Sequence, residues 1–130
     1  MKNLEQVRAK NALDALGNDK HFKGSKDGDP LTGFPALIIG NGLLATIAFA
    51  QKSKGDWSNI VTAIAEHLAS EEIGLLKGKT ADANGLRDFL CEQDSNVLRL
   101  CTAEALAYLN YLRRFAKVAS KSSESQGKGV

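Results

Sequence analysis

Hydrophobic positions recur every three to four residues along most of this chain. The longest uninterrupted run of that period is residues 96–119, NVLRLCTAEALAYLNYLRRFAKVA. At ~100° per residue, Leu98, Cys101, Ala105, Tyr108, Leu109, Leu112, Phe115, Ala116 and Ala119 fall on one arc. Arg99, Asn110, Arg113, Arg114 and Lys117 fall roughly opposite. No Gly or Pro interrupts the run, and Ala, Leu and Arg are strong helix formers. The pattern predicts a helix of about six turns, roughly 35 Å long. One face belongs to a core. The four cations opposite are either a solvated surface or a contact line for a polyanion.

The rest of the chain reads as shorter helices. Residues 2–16 place Leu4, Val7, Asn11 and Ala15 on one face, broadened by Ala12 and Leu16, and Gly17 stops the helix. Arg8 lies at the stripe edge, where its stem covers core and its head stays wet. Residues 17–33 form a long loop with strong turn chemistry at Asp27-Gly28-Asp29-Pro30. It reads as a mobile loop, with a binding loop as the alternative. Its residue order does not fit a calcium loop. Residues 34–53 are apolar nearly all round and predict a central helix contacted on most sides. Gly40 and Gly42 lie inside it. Either another backbone approaches there, or the helix bends or breaks at Gly-Asn-Gly. A phosphate cradle has little support without a preceding strand or a following Lys-Ser/Thr.

Asp56 is placed to cap a helix over 57–69, with Trp57, Ile60, Val61, Ile64 and Leu68 on one face. His67, in its last turn, reads as a charge–dipole contact or an exposed side chain. Residues 70–79 predict a helical turn and a loop, and 80–90 a short helix. Asp94 or Ser95 can cap the long helix. Residues 120–130, SKSSESQGKGV, have no apolar period and read as a disordered tail. No stretch alternates with period two. The expected fold is all-α: a compact single-domain bundle of about five to six helices over 1–119.

Composition sharpens this only in places. A chain of 130 residues, 43% hydrophobic and 25% charged, suits one globular domain with a real core. No apolar run is long enough to span a membrane, and the first residues lack a signal-peptide core, so the expected location is cytoplasmic. Cys91 and Cys101 read as buried free thiols. The net charge is +2, unevenly spread. From Arg99 onward six basic residues face Glu104 and Glu124, which leaves about +4 in the last quarter. Lys52 and Lys54 form a second basic corner. His21 reads as a solvated loop residue. With His67 it makes no metal-ligand pattern, and no local nucleophile–histidine motif occurs. The polar inventory fits a binding or assembly module without catalytic residues, metal or cofactor.

Two stretches together carry a family resemblance. FPALIIGNGLLATIAFAQKSK and TAEALAYLNYLRRFAKVA, with Arg8-Ala9 in a small first helix, resemble the small α-helical subunit of type III-B CRISPR RNA-guided effector complexes, the fifth subunit of the Cmr complex. That resemblance implies a compact helical protein without activity of its own, acting in antiviral defence. It implies several stacked copies beside the repeated backbone subunit, lining the path of crRNA and target RNA, with RNA cleavage left to other subunits. The basic positions in the matching regions are Arg8, Lys52, Arg113, Arg114 and Lys117, and Lys54 joins them from the basic corner. Gly40 departs from the polar or basic residue expected near it, which argues against an RNA contact there. The rival expectation is a helical protein–protein adaptor without nucleic-acid contact. A small enzyme with a dispersed site is a more distant third.

Overall fold

The computed structural model of the chain describes residues 3–17, 30–53 and 55–128, with side chains as far as Lys117. Among the described residues there are six helices and no strand: α1 (Leu4–Gly17), α2 (Pro30–Asn41), α3 (Leu43–Ser53), α4 (Asp56–Ala69), α5 (Ala83–Glu92) and α6 (Ser95–Lys128). The all-α expectation holds. The 17–33 loop falls largely on residues 18–29, which lie outside the described residues.

Local chemistry sets the helix starts. Asn3 and Gln6 form a reciprocal cap on α1: the Gln6 amide donates to Asn3 Oδ1 at 2.9 Å and the Asn3 amide to Gln6 Oε1 at 3.0 Å. Asp82 caps α5 by accepting from the Gly85 amide at 2.8 Å. Asp94 caps α6 by accepting from the Val97 amide at 3.0 Å. The cap expected from Asp56 is not made. Gly55 holds the N-cap position without a side-chain hydrogen bond, and Asp56 is the first helical residue. Its carboxylate still suits the positive end of the helix.

The core's centre is α4, not the 34–53 stretch. It packs against α1, α2, α3, α5 and α6. Ile60, Val61, Ala63, Ile64, Ala65, His67 and Leu68 are all buried along it. Cys101, Ala105, Tyr108, Leu109 and Leu112 of α6 close the core from the other side. Leu98, Phe115 and Ala116 are partly buried against it. The face expected of the long helix is therefore its observed core face. Ala119 lies beyond the described side chains. The segment between α4 and α5 also supplies core: the Leu75 and Leu76 amides both donate to the Leu68 carbonyl at 2.9 Å, and Leu76 is 3% exposed. Cys91 is exposed, contrary to expectation, while Cys101 is buried.

The 34–53 stretch is two helices. The break is Gly42, whose φ of 93° is rarely accessible to a residue with a Cβ. Around it the Gly42 amide donates to the Ile38 carbonyl at 2.8 Å, and Thr46 Oγ1 donates to the Gly42 carbonyl at 2.8 Å. The chain folds back there. Phe34 and Phe49 both meet the Trp57 ring, at centroid distances of 5.6 and 5.0 Å. A continuous helix would set those two residues roughly 22 Å apart. Folding back buries Phe34, Ile38, Leu43 and Ile47 and leaves Ile39 75% and Phe49 43% exposed. All-round apolarity thus reflects two helices with different inner faces, not one surrounded rod.

Two boundaries also differ. α2 starts at Pro30, so Pro35 lies inside it, not in its first turn. Leu31, Phe34 and Ile38 continue one buried stripe from that earlier start. α6 runs on to Lys128, about 51 Å at ~1.5 Å per residue, past residue 119 where the apolar period ends. No Pro stops it, and Lys, Glu and Gln are good helix formers.

Gly40 and Gly42 give opposite expectations. Gly40 has no positive φ, and nothing lies within 4 Å of a Cβ added there. Gly40→Ala should raise stability by about 0.5–1 kcal/mol, and Gly42→Ala should lower it by more than that. Urea unfolding of the two variants beside the parent chain measures both.

Candidate functional site

The basic side of α6 follows from its sequence period. With Leu109 and Leu112 facing the core, Arg114 and Lys117 are exposed and Arg113 is half-buried. Arg113 and Lys117 are one turn apart, about 6 Å between Cβ atoms. Arg114 Nε donates to Asn110 Oδ1 at 3.1 Å, a neutral partner one turn back. Among the described residues no carboxylate pairs with Arg113, Arg114 or Lys117. The acids that could have answered them are engaged elsewhere: Asp88 with Arg87 at 3.0 Å, and Glu104 with Arg8 and His67. Arg99 is exposed nearer the start of the same helix.

Arg8 is not part of that strip. Its Nε donates to Glu104 Oε2 and its Nη2 to Glu104 Oε1, both at 2.7 Å. This two-pronged contact ties α1 to α6, with side-chain exposures of 22% for Arg8 and 9% for Glu104. The wet head expected at the stripe edge is instead an ion-paired one. The Glu104 hydrogen bond holds the Arg8 guanidinium above its ordinary pKa.

His67 completes the cluster and overturns its expected exposure, being 1% exposed. Its Nε2 lies 2.9 Å from Glu104 Oε2, and Asn11 Nδ2 lies 2.9 Å from its Nδ1. Asn11 Nδ2 also donates to Ser70 Oγ at 3.2 Å, and Ser70 Oγ donates to the His67 carbonyl at 2.7 Å. Because Asn11 donates to Nδ1, the neutral ring carries its proton on Nε2 and gives it to Glu104. Tyr108 stacks on the ring at 4.1 Å and 11°. Burial lowers the His67 pKa, and the Glu104 hydrogen bond only partly opposes it. Burial raises the Glu104 carboxyl, but hydrogen bonds from Arg8 and His67 outweigh it and hold the group below the usual carboxylate range. Burial also raises the Tyr108 phenol, helped by Glu66 and Asp14. Sequence reading missed this cluster, because its ionisable centre, Arg8, His67 and Glu104, is assembled from positions 37 to 96 apart. The one local signal was a polar Asn11 on an apolar stripe.

Lys52 is exposed in the last turn of α3, a helix that packs on α2, α4 and α5. Lys54 lies outside the described residues. Among the described residues no group of three or more His, Cys, Asp or Glu side chains is placed to hold a metal ion. No helix among them is long and apolar enough to cross a membrane.

Acid should loosen the α1–α4–α6 seam in two stages. His67 has a folded pKa below its ordinary 6.5, so its contribution is complete above that pH and falls as pH drops below it. Glu104 has a folded pKa below its ordinary 4.5, so a second loss begins under that value. Thermal unfolding at pH 7.5 and 5.5 should show a drop that His67→Gln largely removes. At neutral pH, Arg8→Ala should cost about 2–4 kcal/mol in urea unfolding by stranding the Glu104 charge, whereas Arg114→Ala stays within about 0.5 kcal/mol.

No curated protein and no solved structure matches the chain. A family model does, that of the CRISPR-associated protein (Cas_Cmr5), over residues 4–119. The match runs from the first residue of α1 through the Arg113–Lys117 strip, and takes in the Arg8–Glu104 seam and the Gly42 turn. On that coverage the chain belongs to the Cas_Cmr5 family of CRISPR-associated proteins.

Proposed function

We propose that this chain is a non-catalytic small subunit of a type III-B RNA-guided, RNA-targeting effector complex. Several copies stack beside the repeated backbone subunit and line the path of crRNA and target RNA. The observation that carries the reading is the unneutralised basic strip on α6. Three cations, Arg113, Arg114 and Lys117, sit on one rigid helix while the nearby acids pair elsewhere. Membership of a CRISPR-associated family supports the reading that this strip faces RNA.

The chemistry fits a passive role. A subunit that serves every guide has no use for base recognition, because base pairing supplies the sequence. Phosphates offer the same charge at every step, and Arg and Lys answer them without reading sequence. A packed helix holds such cations in a fixed line. His67, the buried histidine, is occupied by Glu104 and Asn11, which supports a structural part for it over a catalytic one.

An adaptor that touches only protein is the second reading. Ile39 at 75% and Leu100 at 58% exposure favour it, since apolar surface of that kind suits protein contact. The two readings separate on salt. In the assembled complex, Arg113→Ala/Lys117→Ala should weaken target-RNA capture for every guide tested. The slope of log affinity against log salt should fall by about 0.7–0.9 for each phosphate that is no longer neutralised. Unchanged capture across the salt series would favour the adaptor.

A further inference from the structure

The basic strip of α6 has an aromatic border. Tyr111 lies one turn before Arg114, and Phe115 lies one turn beyond Tyr111. Lys117 follows Arg114 by the same step. Around the outside of the helix, Lys117, Arg114, Tyr111 and Phe115 therefore form one connected patch. Tyr111 and Phe115 are half-buried: each packs against the rim of the core and keeps part of its ring in solvent. Their centroids are 6.3 Å apart with the planes tilted by 42°, so the two rings are not stacked on one another. Ala107, one turn before Tyr111, is too small to cover its ring.

Half-buried rings at the rim of a core are ordinary. Core packing does not account for the Tyr111 hydroxyl. It makes no hydrogen bond among the described residues, and no buried side-chain oxygen or nitrogen among them lacks a partner, so this hydroxyl is open to solvent. Tyr108, by contrast, is buried and donates to the Asn11 carbonyl. Arg8 is near enough to Tyr111 to interact with it electrostatically, which adds a second guanidinium beside that of Arg114. Glu104, the one acid among the described side chains of α6, is held by Arg8 and His67.

Cations alone suit any polyanion. Cations bordered by solvent-facing rings suit one that carries flat π systems between its charges, which is a single-stranded nucleic acid. Inside a duplex the base faces are covered by neighbouring bases, so only an unpaired base can splay out and meet a ring.

We propose that Tyr111 and Phe115 form a stacking edge for an unpaired RNA base whose flanking phosphates lie on Arg114 and Lys117. This rests on the RNA contact of the proposed function and deepens it, by naming single-stranded RNA as what this part of the chain holds. Stacking tolerates any sequence, because every base has a π face, so the edge serves every guide as the phosphate contacts do. The Tyr111 hydroxyl adds a donor for a phosphate or ribose oxygen.

Two single strands of equal length test this on the full chain at about 50 mM salt: a mixed-sequence RNA, and the same ribose–phosphate backbone without bases. The RNA should bind at least about fivefold more tightly. Tyr111→Leu and Phe115→Leu should each remove about fivefold from the RNA affinity, and leave the affinity for the abasic strand and the salt slope as they were. Tyr111→Phe keeps the ring and should stay within about twofold of the parent. Arg114→Ala should weaken both strands alike and flatten both salt slopes. Leu preserves apolar contact with the core, and unchanged melting temperatures check folding. Where a Leu variant fails to fold, the two strands compared on the parent chain decide. Equal binding of the two strands overturns the stacking edge and leaves the phosphate strip standing. Leu variants that bind RNA like the parent also overturn it, and assign the rings to core packing or to a protein contact. Binding of neither strand up to about 1 mM overturns it as well, while the strip's own contact is measured separately in the assembled complex.

Discussion

A carboxylate taken into a helical seam has to be answered there, and Glu104 is answered from two other helices. Arg8 of α1 reaches both its oxygens, and His67 of α4 reaches one. A lone buried carboxylate would cost several kcal/mol in lost hydration. The same charge held by a planar guanidinium and an imidazole N–H instead fixes the register of three helices. Apolar packing is tolerant of sliding, whereas this hydrogen-bonded cluster admits one alignment. Asn11 extends it to Ser70 at the end of α4, and the Tyr108 hydroxyl donates to the Asn11 carbonyl at 3.4 Å. Helices α1, α4 and α6 are thus aligned by polar geometry, and the Leu, Ile and Ala core fills the space that alignment defines.

That seam also decides which cations are left over. An arginine beside an apolar stripe and an arginine on a polar face look alike when only the sequence is read. Arg8 is neutralised by Glu104, while Arg113, Arg114 and Lys117 keep their charge toward solvent. Glu104 lies in the first third of α6, and turning it inward leaves Arg113, Arg114 and Lys117 without an acid beside them among the described side chains. Core specification and surface charge are therefore two results of one placement.

The helical class, the core face of α6 and its basic back were legible because each is a local, periodic property. Leu109 and Leu112 turned inward where their period placed them. The Gly-Asn-Gly signal was legible as a choice, and the fold-back appeared only when Trp57 brought Phe34 and Phe49 together. Pro30 was harder, because turn chemistry before it masked the stripe that begins at Leu31. His67 was the clearest miss. A histidine in a last turn has an adequate local explanation, and nothing nearby announced a carboxylate 37 positions later. Ile39 and Phe49 were missed for a related reason: one apolar rod and two half-exposed helices have the same composition.

The distance along the chain between Arg8 and Glu104 sets an order of assembly. Their contact closes a span of 96 positions. During synthesis at roughly 5–20 residues per second, α1 emerges about 5–20 seconds before the surface it packs on. Until then Val7, Ala12 and Ala15 have no α6 to cover them, and Arg8 has no carboxylate to meet. The α1–α6 side of the core is thus closed only after α6 has been made.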